Sequence, residues 1–309
     1  MGTKILPLVS VFTCVYNMAD KIERTFNSIR RQTYPNIEHI IVDDGSTDGV
    51  DALIMDYKNS ARYTVKHLKQ ENKGKHAATN AAWDVAEGEF VVQLDADDEL
   101  LPHAIEFLVN QWEQIPKEFV DQYWCVHGRC CTQYGKLVGE LYPKGINEMP
   151  FNEASKTARA VSGEKIGLMK RSILDSFRYP TPAGVKFVQE NIVFCQININ
   201  YRTWYTNEIV RTYYVNEGTS LSTASRSMQA LTNRCFDAYW RLQQRKKHSN
   251  SDLKQMIRYG VCWQFSNETF RKALPYGGGG LRIFDRLLLD LLYPAFWLVS
   301  NLLRVKWKD

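Results

Sequence analysis

The stretch IEHIIVDDGSTDGVDALIMDY (37–57) sets out the architecture in miniature. Its first six residues are mostly apolar and rich in isoleucine and valine, as a strand covered on both faces requires. Two successive acids, Asp43 and Asp44, end that run. Gly45 supplies backbone freedom, Ser46, Thr47 and Asp48 supply capping oxygens, and residues 50–57 resume apolar positions at helical spacing. Strand, acidic turn and helix follow in that order.

The same unit recurs on either side. Upstream, 8–15 is an apolar, β-branched strand, and Asn17 and Asp20 lead into a helix through Ile22, Phe26 and Ile29. Downstream, 63–68 is a third strand, 74–87 a helix of small residues, and 89–94 a fourth strand running into DADDELLP. Strands alternating with helices at this pitch predict right-handed crossovers and a mainly parallel α/β sheet flanked by helices. Ligands bind such sheets beyond the carboxyl ends of the strands. Asn17, the pair Asp43 and Asp44, and the run Asp95–Asp98 all fall at those ends.

Beyond residue 100 the pattern loosens. A helix is expected over 103–114, aromatic and cysteine-bearing strands over 123–132, short helices at 172–177 and 190–200, and a strand at 206–215. The expected division is a first half (1–100) with polar clusters at its strand ends, a second half (101–224) that shapes a substrate pocket, and a basic helical extension (225–309). Residues 226–309 hold fifteen Lys and Arg against six Asp and Glu, which leaves the body of the chain mildly acidic. The pocket lies in that acidic body and the basic part carries no known module, so no nucleic-acid partner is expected. Seven scattered cysteines without metal spacing read as reduced thiols. The first apolar run is broken by Pro7 and too short for a signal peptide, so the cytoplasm is the expected compartment.

In 281–309, Arg286, Asp290, Trp297, Asn301, Arg304 and Lys308 share one helical face, and leucines cover the broad remainder. Residues 287–303 are short for a span and include Asp290, Pro294 and Asn301. The expectation is an amphipathic helix in the plane of an anionic membrane, with a core helix or a span as alternatives.

Asp95 and Asp97, two residues apart at a strand end, can converge on one site while Ala96 faces the core. Their hard oxygens suit Mg²⁺ or Mn²⁺, which complete their shells with water and substrate phosphate oxygens. An isolated Asp-x-Asp is more often a solvated acidic loop. An acid at 43 or 44 can accept the imide N–H of a uracil, whereas N-capping alone accounts for Ser46, Thr47 or Asp48. NKGKH (72–76) is a basic, glycine-containing helix start, suited to a phosphate or base edge.

Together PLVSVFTCVYN (7–17), VDDGSTD (42–48), NKGKHAATNAA (72–82) and LDADDELLP (94–102), in this order, resemble family-2 glycosyltransferases of the GT-A fold. The resemblance implies a Rossmann-like sheet and transfer of a sugar from a nucleoside-diphosphate sugar, with a divalent metal and inversion at the anomeric carbon. It implies that Asp43 contacts uracil with Asp44 close by, and that the main chain near Thr13 and Tyr16 lines the nucleoside. Asp95 then approaches the ribose or sugar, and Asp97 ligates Mn²⁺ or Mg²⁺. The basic loop puts Lys73 and Lys75 near the donor. The basic amphipathic tail points to a glycan or lipid-linked oligosaccharide acceptor, with the protein peripheral on the inner face of the cell membrane.

The family keeps its general base in a Glu-Asp pair at the start of a helix. Here the corresponding stretch is VQENIVF (188–194), with Asn191 in the second place, so Glu190 is the expected base. An acid favoured by the helix dipole is the simpler reading of Glu190. NEGTSLS (216–222), with Arg226 after it, is a candidate lid, and His127 joins a metal shell only if the fold brings it to Asp97. Two other classes remain open. A membrane-tethered nucleotide-sugar binder without catalysis would explain the missing acid. A nucleotidyltransferase would place a glycine-rich loop directly after the first strand, yet no glycine occurs between Tyr16 and Gly45.

Overall fold

The computed structural model describes residues 5–215, 228–244 and 268–274, with single positions at 259, 262, 263, 266, 289, 293 and 294. The chain forms two compact units, 1–179 with 193–217, and 180–192 with 218–309.

The first unit contains one eight-stranded sheet. Its strands are β1 (Val9–Val15), β2 (Ile37–Asp43), β3 (Thr64–Lys69), β4 (Phe90–Gln93), β5 (Glu99–Leu100), β6 (Tyr123–Thr132), β7 (Lys165–Lys170) and β8 (Arg202–Tyr213), in the order β3-β2-β1-β4-β7-β6-β8-β5. Strands β3, β2, β1 and β4 run parallel, with Val15 opposite Asp43 and Asp43 opposite Lys69. Helices α1 (Ile22–Arg30), α2 (Val50–Ser60) and α3 (Lys75–Val85) form the crossovers. Every residue of β2 is buried, as its unbroken apolar run requires.

The second half of the sheet departs from simple alternation. β7 is antiparallel to both β4 and β6, whereas β6 and β8 pair in parallel. β7 and the helix before it, α5 (Phe151–Ala160), escaped the sequence reading, because Gly167 interrupts β7 and lysines bound it. Gly167 is there for space: a Cβ would stand 2.5 Å from Cys125 Sγ. The other elements of this half are α4 (Ala104–Gln114), α6 (Arg171–Leu174) and α7 (Asn191–Asn200). Residues 123–132 form one strand instead of several, and β8 begins four residues earlier than expected, at Arg202. The division expected at residue 100 falls within the sheet, at the end of β5.

In the second unit, α8 (Met228–Gln244) gathers the 186–189 segment. The N–H groups of Lys186 and Phe187 donate to Asn233 Oδ1 at 3.1 and 3.4 Å, and Arg241 Nη2 donates to Gln189 Oε1 at 3.0 Å. The expected lid (216–222) with Arg226, and nearly all of the amphipathic tail (281–309), lie outside the described residues. Among the described residues no helix is long and apolar enough to cross a membrane.

A polar chain runs through the core beside β1. His39 Nε2 lies 3.0 Å from Thr13 Oγ1, its Nδ1 lies 2.9 Å from the Tyr57 hydroxyl, and Tyr57 meets the Tyr63 hydroxyl at 2.6 Å. Burial holds His39 down to about 3, and burial with Lys165 and Arg129 does the same to His127. Both rings bind protons more weakly in the folded than in the unfolded chain. Their stabilisation is complete above about pH 6.5 and is lost toward pH 3, by about 1.4 kcal/mol per pH unit for each ring. Asp98, whose carboxyl is raised from 3.8 to about 7 by burial, acts with the opposite sign between those two values, the upper part of that range. The net is about one ring's worth. The melting temperature should fall by about 5 °C between pH 7 and pH 5, and His39→Asn should flatten that slope; an unchanged slope in the variant would remove His39 from this account.

Candidate active site

Asp43 closes β2 and is fully buried. Its Oδ1 accepts the Ser46 N–H at 2.8 Å, whereas its buried Oδ2 has no hydrogen-bond donor; the Lys69 ammonium is nearest in charge, at 3.7 Å. A buried carboxylate oxygen left in that state is costly and is suited to receiving a ligand N–H.

Asp44 does different work. Its Oδ1 accepts from Gln70 Nε2 at 2.7 Å and from the Lys73 N–H at 2.8 Å, and its Oδ2 accepts the Gly74 N–H at 2.7 Å. The carboxylate therefore builds the loop that opens α3. Gly45 completes the seat at φ +82°, where a Cβ would stand 2.8 Å from the Asn72 nitrogen. The remaining residues of the motif clasp the turn after β1. Ser46 Oγ accepts the Asn17 N–H at 3.0 Å, Asn17 Oδ1 accepts the Thr47 N–H at 2.9 Å, and Asp48 Oδ2 accepts the Ala19 N–H at 2.7 Å. Asn17 is held at φ 52°, where a short polar side chain is tolerated.

Two strands away, β4 ends at Gln93 and Asp95–Asp98 form a turn closed by Asp98 N–H to Asp95 C=O at 3.2 Å. The acids thus sit on a turn instead of on the extended strand end expected from the sequence, with Ala96 buried in the core between them. Lys75 Nζ pairs with Asp95 Oδ1 at 2.7 Å. Burial opposes ionisation of Asp95, but Lys75 and Arg211 hold its carboxyl down at about 2. Burial and then the charge of Asp95 push Asp97 the other way, which a bound cation would relieve.

Strand β1 separates β2 from β4, so the Asp43 and Asp95 ends stand about 10 Å apart across the sheet. Cys14 lies between them, against the Lys75 carbonyl, and burial raises its thiol to about 12. Thr13 is fully buried, with its hydroxyl on His39 and its main chain in the β1–β2 ladder, and Tyr16 is 48% exposed. Lys73 is exposed. Glu190 belongs to the second unit and immediately precedes α7. His127 packs on Tyr142 and Tyr205, its Nδ1 3.3 Å from the Tyr142 hydroxyl.

Sequence reasoning missed the companions of Asp43. Asp43, Asp51 and His67 place three ligand atoms within 4.8 Å of one another, a donor set that suits a divalent cation. Lys69 Nζ stands 3.7 Å from Asp43 and 3.4 Å from Asp51, so an ammonium already offsets these carboxylates. The acidic turn, where Arg24 and Lys21 offset the Asp97 charge only in part, is the second place whose oxygens suit such an ion. Alternation along β3 places His67 and Lys69 on one face, and the register sets Lys69 opposite Asp43; that was the available signal.

A sheet of this order, with acids at the ends of β2 and β4 and a basic helix start between them, defines a GT-A-like nucleotide-binding α/β domain. The chain belongs to the glycosyl transferase family 2, whose profile matches residues 10–177. It is 28% identical over 284 residues to WcaA of Escherichia coli, a protein named for colanic acid biosynthesis, covering 87% of this chain and 92% of that one. It is also 28% identical over 177 residues to the GalNAc(5)-diNAcBac-PP-undecaprenol beta-1,3-glucosyltransferase of Campylobacter jejuni, covering 56% and 55%. Relatives at 39% and 42% identity are matched over only 33% and 43% of their own length. Among known structures, S. aureus TarS with UDP-GlcNAc superposes with a TM-score of 0.55 at 20% identity, covering 84% of this chain and 73% of TarS. The mannosyltransferase PcManGT of Pyrobaculum calidifontis, with GDP-Man and Mn²⁺, gives 0.54 at 19%, covering 96% and 84%. At these identities the two structures establish the fold.

Proposed function

We propose that this protein transfers a sugar from a uridine-diphosphate sugar to a glycan or lipid-linked acceptor in one inverting displacement. The observation that carries the donor assignment is the buried, donorless Oδ2 of Asp43, two strands from an acidic turn that suits a metal-bridged diphosphate. Asp43 accepts the uracil N–H, Asp44 and Gly45 shape the basic loop beside it, and the main chain at Thr13 and Tyr16 lines the nucleoside. Lys75 fixes Asp95 near the ribose or sugar, and Lys73 stands by for the phosphates. Asp97 is the expected ligand of Mn²⁺ or Mg²⁺, with Asp95 beside it. When bound, that ion supplies positive charge to the departing diphosphate. Glu190 takes the proton of the attacking hydroxyl. The UDP-GlcNAc bound by TarS and the Mn²⁺ bound by PcManGT support this reading.

A thermal-shift panel of UDP, GDP and CDP with Mn²⁺ tests the donor, because a ligand of the folded state raises its melting point. UDP should give the largest shift, and Asp43→Ala should abolish it. Equal shifts from all three nucleotides would overturn the uridine assignment.

The acceptor reading draws on the undecaprenol-linked acceptor named for the Campylobacter relative and on the basic, leucine-rich tail. That tail would hold the protein on the cytoplasmic face of an anionic membrane. Removal of residues 281–309 should release the protein from anionic vesicles in flotation; a truncated chain that floats as well as the full one would end the membrane proposal.

A further inference from the structure

Behind the acidic turn lies a buried cation that the donor assignment does not use. Arg211, on β8, is 5% exposed, with Nε 3.4 Å from Asp98 Oδ2 and Nη2 3.5 Å from Glu164 Oε2. Asp98 is 1% exposed, and the residue just after β8 grips it a second time, the Tyr214 N–H donating to Oδ1 at 3.0 Å. Its carbonyl accepts from Thr25 Oγ1 at 2.8 Å. The next two residues, Glu99 and Leu100, pair with Thr212 and Arg211 across β5 and β8. Three carboxylates thus crowd four residues, and cations from different elements offset them: Lys75 of α3 on Asp95, Arg211 of β8 on Asp98, and Arg24 and Lys21 in part on Asp97.

We propose that Arg211 is a positioning residue for the acidic turn. By anchoring Asp98 and offsetting its charge, it keeps Asp95 and Asp97 presented together for a divalent cation that neither Arg211 nor Asp98 touches. This rests on the reading of Asp97 as a metal ligand. The planar guanidinium spans two carboxylates, Asp98 and Glu164, which a lysine ammonium cannot do.

The test separates positioning from folding. Removing one member of a buried pair leaves a charge unmatched and destabilises strongly, whereas removing both is close to neutral. The double variant Asp98→Asn/Arg211→Met should therefore melt higher than Arg211→Met alone. With UDP present, its Mn²⁺ affinity, read from the EPR signal of free Mn²⁺, should weaken about tenfold or more, as loss of outer-shell support does at metal sites. UDP binding without metal, which depends on Asp43, should stay unchanged. Arg211→Lys, which keeps the charge, should show a weaker form of the same loss and carries the readout if the double variant does not fold. Wild-type Mn²⁺ affinity in the folded variants would overturn the role of Arg211 alone. A native protein that takes up no Mn²⁺ with UDP would overturn the metal reading of the turn, and this proposal with it.

Discussion

Asp97→Asn is expected to lower sugar transfer by about three orders of magnitude while the protein folds normally. The side chain is half-buried in a turn whose shape is set elsewhere: by the Asp98 N–H on the Asp95 carbonyl, by Thr25 on the Asp98 carbonyl, and by Ala96 in the core. Asparagine keeps the volume and removes only the charge. In the absence of a cation that charge is a burden, because burial and Asp95 both raise the Asp97 carboxyl. The variant should therefore melt at or slightly above the native temperature. With donor present the balance reverses. A carboxylate that holds the diphosphate's counter-ion is worth about 4 kcal/mol as charge builds on the leaving group, and each 1.36 kcal/mol is about a tenfold change in rate. The loss should appear in kcat, with saturating Mn²⁺ restoring little of it. Turnover within about threefold of native would remove Asp97 from the reaction.

The parallel half of the sheet was legible because β1, β2 and β4 are apolar, β-branched runs buried along nearly their whole length, and each helix keeps its own spacing. The acidic residues then fell at the carboxyl ends by position alone. The other half was not, for reasons specific to its residues. β7 needs Gly167 to approach Cys125, and a glycine between lysines does not read as a central strand. β5 is two residues long and exists because β8 pairs with it. The roles within the site divide in the same way. Asp43 stands out by type and place, but Asp44 serves the backbone N–H groups of Lys73 and Gly74, contacts that leave no trace in residue type. Arg211 meets Asp98 from more than a hundred residues away in the chain, and only strand order brings them together. His67 and Lys69 gather at Asp43 through the β2–β3 register, and Asp51 joins them from α2. Sequence patterns of period two and 3.6 reveal elements; partners from distant elements need the topology.

Glu190→Gln is expected to reduce kcat by about two to four orders of magnitude with donor affinity unchanged, since a general base acts only as the acceptor hydroxyl loses its proton. Glu190 is exposed and sits one residue before α7, so glutamine should be accommodated without disturbing the helix. Asp43, Asp44 and Asp95, the residues proposed to bind the donor, all belong to the other unit, so the UDP-dependent thermal shift of the variant should equal that of the native protein. Asn191 provides the discriminating control. Its amide cannot accept a proton at neutral pH, whereas Asn191→Asp places a second carboxylate beside Glu190 at the first helical position, where the helix dipole tolerates it. If Glu190 is the base, Asn191→Asp leaves kcat near native, and Glu190→Gln stays inactive with or without it. A rise in kcat on Asn191→Asp, or rescue of Glu190→Gln by it, would move the proton transfer to position 191. Full activity in Glu190→Gln alone would mean that neither position carries it, and that the base comes from another element of the chain.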